Sequence, residues 1–343
     1  MKKNIIAASL IFMFLISGAS FLFSTEKEKQ KDDAYLQLYK KIVSLYRAKK
    51  FEETRNLLEK NIGNYPEKFD RFAYNLSIIY GHTKEFEKGI KILNKAHKKG
   101  VWFNILIFKS PLYKGYKDLP GFKAVLSKNN ELYEKAKKDT KSKMDISLPE
   151  NFDKSKKYPL FIALHGGGEN IKNFKPRWTS EKMKNEYIVA YLQSSQLIAP
   201  DGYGWENYFI TKKEVKSAFE KILEKYPVDK KRIIIGGFSS GGGASLFLTF
   251  KEKIPVKGFI ILCPQVPKEI VEPDVLKAAK KGIRGTFITT ERDNRLELQK
   301  KLVGIFKRSG LGHKFVIFPN TGHWYPEGLD KKIDEALEHI FKK

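Results

Sequence analysis

Ser239 stands in the run Gly236-Gly237-Phe238-Ser239-Ser240-Gly241-Gly242, a G-x-S-x-G pattern. The β-branched run Ile233-Ile234-Ile235 precedes it, and small residues that can open a helix follow. A strand that turns this sharply into a helix points its central side chain out of the sheet. Any Cβ at the flanking glycines would strike neighbouring backbone. A serine held there lies at a helix N-terminus, where N–H groups and the helix dipole favour a developing oxyanion. Its hydroxyl is a weak nucleophile until a base takes the proton, so the chemistry demands a histidine and a carboxylate.

Six histidines are available. His323, in Asn320-Thr321-Gly322-His323-Trp324, alone falls in a loop after the final apolar run, 315–318. Asp293 follows the apolar run 286–288, with Glu291 on the same turn and Asp274 as a further alternative. The expected roles are Ser239 as nucleophile, His323 as general base and then acid, and Asp293 as the group that fixes the imidazole tautomer. A second oxyanion donor is expected from His165-Gly166-Gly167-Gly168, directly after the run 160–164. Gly167 N–H and Ser240 N–H are the expected pair. Trp205, in Pro200-Asp201-Gly202-Tyr203-Gly204-Trp205, and Trp324 are expected to border the substrate. This chemistry needs no cofactor and no metal.

Such groups need a rigid frame. From residue 144 to 343, short apolar runs alternate with helix-compatible stretches such as 212–225, 295–309 and 329–341. That alternation predicts an α/β architecture, a mainly parallel sheet covered by helices on both faces, with the ligand at the C-terminal strand ends. Residues 30–140 read as helical. Lys50-Phe51-Glu52 and Glu85-Phe86-Glu87 mark a repeat of about 34 residues, and the segment resembles two degenerate tetratricopeptide repeats. A Lys-rich connector is expected at 135–143. Lys2 and Lys3 before an uncharged run make 1–25 a signal peptide or membrane anchor, and export with cleavage is the expectation.

Residues 144–343 resemble the α/β-hydrolase superfamily, and within it the carboxylesterase/phospholipase-type and polyhydroxybutyrate-depolymerase-like esterases. The resemblance rests on Tyr158-Pro159-Leu160-Phe161-Ile162-Ala163-Leu164-His165-Gly166-Gly167-Gly168, the Ser239 elbow and Gly322-His323-Trp324-Tyr325-Pro326. It implies an α/β-hydrolase fold and a cofactor-free serine esterase. Thr290-Glu291-Arg292-Asp293 lacks the glycine these families often carry before the acid, which leaves the acid open between Glu291 and Asp293.

The net charge of +26 comes from lysines spread over both halves. Without a basic stripe or a nucleic-acid motif, that pattern argues against a nucleic-acid partner. It fits attraction to an anionic envelope surface. The helical repeats fit a protein partner. Cys263 is the sole cysteine and sits in an apolar run, so an intrachain disulfide is excluded and a buried thiol is expected. Competing readings are a serine peptidase of the prolyl-oligopeptidase-like branch and an inactive binding scaffold.

Overall fold

The computed structural model describes residues 26–342. The expected signal or anchor at 1–25 lies outside the described residues. Among the described residues, no helix is long and apolar enough to cross a membrane. The chain divides into two compact units between Asp139 and Thr140.

The first unit is helical. Helices Glu26–Arg47 and Phe51–Asn61 form one hairpin, and Phe69–His82 and Phe86–Lys98 form a second. The two hairpins turn alike, through Lys49 and Lys84, which share a left-handed φ near 60°. Apolar residues at helical spacing build the core: Tyr35, Tyr39 and Ile42 from the first helix, and Ile90, Leu93 and Ala96 from the fourth. Helix Pro120–Lys138 closes the unit with Phe122 and Val125. This helix takes up residues 135–138 of the connector expected at 135–143, and the first strand begins at its last residue, Lys143. Its last turn carries Lys135, Lys137 and Lys138, where positive charge complements the helix dipole.

The second unit is an α/β-hydrolase fold. A seven-stranded sheet runs in the order β1 (Lys143–Ser147), β3 (Ile188–Gln193), β2 (Tyr158–Leu164), β6 (Val228–Phe238), β7 (Gly258–Leu262), β8 (Arg284–Thr290) and β9 (Gly312–Phe318). Only β1 is antiparallel to its neighbour. A separate hairpin pairs β4 (Gln196–Ala199) with β5 (Gly202–Gly204).

The central strands are apolar on both faces because helices cover both. Leu160, Ile162 and Leu164 of β2 join Ile233 and Ile235 of β6 and Phe259 and Ile261 of β7 on one face. Val215, Ala244, Val275 and Phe306 pack there from helices Tyr208–Lys225, Ser240–Phe250, Glu272–Lys280 and Leu296–Arg308. The intervening Phe161, Ala163, Ile234, Ile260 and Leu262 pack on the other face, against Ile333 and Leu337 of helix Leu329–Phe341. Strand order reverses between the parallel neighbours β2 and β6: β3 is added on one side of β2 and β6 to β9 on the other. In such sheets that is where the strand ends open a crevice.

Candidate active site

The elbow follows from backbone collisions that only glycine avoids. A Cβ at Gly237 would strike the Leu164 carbonyl, and one at Gly241 would strike the carbonyls of both Leu164 and His165. With these approaches open, β6 passes straight into helix Ser240–Phe250. Ser239, at the junction, takes φ 52° and ψ −111°. This region is costly for a residue with a side chain, and it persists where surrounding structure imposes it. Here Ser239 N–H donates to Leu262 O at 2.9 Å, and Ser239 O accepts from Gly243 and Gln265 N–H.

Four loops at the C-terminal strand ends meet at this serine. Ser239 Oγ lies 2.8 Å from His323 Nε2, and His323 Nδ1 lies 2.8 Å from Asp293 Oδ2. Asp293 follows β8 and His323 follows β9. Asp293 is buried. Burial pushes its carboxyl up, but the hydrogen bond and charge of His323, the Arg295 backbone N–H and the Cys263 thiol outweigh that and hold it below its ordinary value. A carboxylate there requires the proton on Nδ1, which leaves Nε2 as an acceptor for the serine hydroxyl.

The carboxylates of Glu291 and Asp274 are engaged elsewhere. Glu291 accepts from Asn320 N–H at 2.8 Å, and Asp274 pairs with Lys251 at 2.6 Å. Gln299, fully buried, donates to Asp293 Oδ2 and to Pro264 O. Cys263 is buried as expected, yet its environment is polar. Its Sγ lies 3.5 Å from Thr290 Oγ1, and burial and the Asp293 charge push the thiol up to about 12. Cys263, Asp293 and His323 are the one His/Cys/Asp/Glu group among the described residues whose donor atoms converge, within 4.8 Å. Two of its three members already bond to each other.

Opposite His323 stands the glycine turn. A Cβ on Gly167 would lie 3.4 Å from the Ser240 Cβ, so the two backbones are adjacent. Neither N–H meets a protein acceptor among the described residues. Glu169 anchors the turn. Its Oε2 accepts from Gly166 N–H at 2.8 Å and from Tyr325 O–H at 2.7 Å, and Arg177 pairs with Oε1 at 3.3 Å. Strand β5 braces the turn from the side, because Gly168 N–H donates to Tyr203 O and Tyr203 N–H donates to Glu169 O.

This arrangement gives Trp205 a different place from the one expected. It is 1% exposed, and its indole N–H donates to His165 O at 3.1 Å. Its backbone N–H donates to Ser240 Oγ at 3.0 Å. The run 200–204 forms the turn and second strand of the β4–β5 hairpin, and Trp205, which follows it, ties the glycine turn at His165 to Ser240. Trp324 is half-buried, edge-on to Phe238 and under the Arg177 guanidinium.

His165 is fully buried. Ser194 N–H approaches its Nε2 at 3.4 Å, so Nδ1 carries the proton and donates to Gly166 O at 2.7 Å. Burial lowers its pKa from 6.5 to about 4, with the Gly166 bond acting in the opposite sense. The unfolded chain takes up this proton near its ordinary value and the native chain only near the lowered one. Stability from this group is therefore full above the unfolded pKa and is lost as pH falls through the window between them. The loss is about 3 kcal/mol. Urea unfolding followed from pH 7 to pH 4 should show that slope, and His165→Gln should flatten it. Parallel slopes in the two proteins would refute the assignment.

No protein-family model matches the chain. The probable dipeptidyl-peptidase 5 of Aspergillus terreus is 24% identical over 54% of this chain and 31% of its own length. The Bos taurus prolyl endopeptidase FAP is 34% identical over 29% of this chain and 14% of its own. The chain thus spans about a third or less of the curated relatives it matches. A crystal structure of an uncharacterized protein from Bacillus cereus ATCC 10987 superposes with a TM-score of 0.50 at 26% identity, covering 90% of this chain and 98% of that one. That coverage is too long for either unit alone, so the helical and α/β units occur together in both proteins.

Proposed function

We propose that the chain is a serine hydrolase that cleaves carboxylic esters through an acyl-enzyme on Ser239. One observation carries this reading: the continuous relay Ser239–His323–Asp293, with both links at 2.8 Å, facing two N–H groups free of protein acceptors. In this mechanism Ser239 Oγ attacks the ester carbonyl while His323 Nε2 takes its proton. The N–H groups of Gly167 and Ser240 hold the oxyanion. The C–O bond to the alcohol then breaks, and Nε2 returns the proton to the leaving oxygen. Water, deprotonated by the same nitrogen, attacks the acyl-enzyme and releases the acid and Ser239. In the same reading the helical unit is a docking module for a protein partner, supported by its pairing with the α/β unit in the Bacillus cereus protein.

A second reading, a serine peptidase, is favoured by the similarity to dipeptidyl-peptidase 5 over 54% of this chain. The two separate in one panel, p-nitrophenyl acyl esters against dipeptidyl and prolyl anilides. Ester turnover with anilide cleavage at least roughly 100-fold slower in kcat/KM is the expected result, a gap of about 3 kcal/mol in barrier. Comparable or faster anilide cleavage would make the chain a peptidase.

A further inference from the structure

Arg295 has no place in the chemistry above, yet its Nη1 lies 3.2 Å from His323 Nε2. It stands at the start of helix Leu296–Arg308, and its backbone N–H donates to Asp293 Oδ1 at 2.8 Å. The backbone bond fixes the main chain and leaves the guanidinium to a second task. Among the described residues, no carboxylate pairs with it. Arg177, by contrast, is committed to Glu169. A half-buried guanidinium without a counter-ion beside His323 Nε2 is a poor structural element and a good anion receptor.

The position also says which part of a substrate it meets. His323 Nε2 is the atom that protonates the departing alkoxide. An oxygen placed for that proton lies beside Arg295, while Gly167 and Ser240 serve the carbonyl side. We infer that Arg295 selects esters whose alcohol portion carries an anionic oxygen group, a carboxylate or a phosphate, close to the scissile oxygen. The inference rests on the ester-hydrolase reading and narrows its substrate class. The overall charge of +26 works in the same direction by drawing anionic ligands toward the protein.

The same contact has a second effect. Nε2 offers one in-plane lone pair, and both Ser239 O–H and Arg295 N–H point at it. A substrate anion that draws the guanidinium away leaves the lone pair to the serine. Substrates without an anion leave Arg295 competing for the base.

The test compares 3-acetoxybenzoate with 3-acetoxybenzamide, a neutral ester of similar shape, and with 3-acetoxyphenyl phosphate. Each rate is corrected for spontaneous hydrolysis. Phenyl hemisuccinate places its carboxylate on the acyl side instead. The expected kcat/KM favours the benzoate, the phosphate or both over the benzamide by roughly 10- to 100-fold, falling with added salt, and whichever anion gains more names the source. Arg295→Met should erase that preference and raise the benzamide rate, and Arg295→Lys should restore part of the preference. Equal native rates on the charged and neutral acetates would overturn the inference while leaving the ester-hydrolase reading intact. So would a parallel fall on both in Arg295→Met, or a gain confined to phenyl hemisuccinate. Absence of all ester cleavage would sink both.

Discussion

Ser239→Ala should lower kcat for ester hydrolysis on the order of 10^6-fold and abolish labelling by a fluorophosphonate probe. The loss should be near total because no neighbouring hydroxyl can stand in. Ser240 follows directly, but its Oγ accepts from Trp205 N–H at 3.0 Å, and of the two hydroxyls only that of Ser239 bonds to His323 Nε2. The fold should survive, since the substitution keeps the Cβ and removes one hydroxyl. Far-ultraviolet circular dichroism and the urea midpoint check that. Labelling of Ser239→Ala at the native rate would place the nucleophile elsewhere.

The second large effect concerns the acid. Asp293→Asn should lower kcat about 10^4-fold, with little change in substrate binding. The reason is the tautomer. An amide in that place can present its NH2 to Nδ1, which moves the imidazole proton to Nε2. The nitrogen facing Ser239 then donates where it must accept. Glu291→Gln should stay within a few-fold of the native rate, because Glu291 serves only the Asn320 N–H at the surface. Steady-state kinetics on one chromogenic ester separates the two, and a fully active Asp293→Asn enzyme would overturn the assignment.

Much of this site is legible from local spacing. Gly237, Ser239 and Gly241 announce the elbow because the constraint acts within five residues. His323 and the 165–168 turn are visible because each directly follows an apolar run. Where two candidates share a turn, spacing stops helping. Glu291 and Asp293 differ only in where the backbone aims them, and that depends on contacts with Asn320 and His323 some thirty residues away. Trp205 invites a reading as a pocket wall because it sits among turn residues. Its burial follows from the β4–β5 hairpin, whose short strands give little apolar signal. Strand β1 is silent for a related reason. As an edge strand with no fully buried residue, Lys143–Ser147 shows no apolar run. Glu169, Gln299 and Arg295 carry no motif at all, and their meaning comes only from long-range contact.

The Glu169 carboxylate has a wider consequence. One oxygen receives both the glycine turn, through Gly166, and the segment that carries the base, through Tyr325, residues separated by 156 positions from Glu169 in the second case. The two sides of the cleft are therefore gauged from a single reference point. A shift of one loop alone would stretch a bond to that carboxylate, whereas a shift of both together need not. What the two bonds fix is the spacing between the glycine turn and the His323 segment, rather than the position of either one. Drift that moves both sides together leaves that spacing, and both bonds, intact.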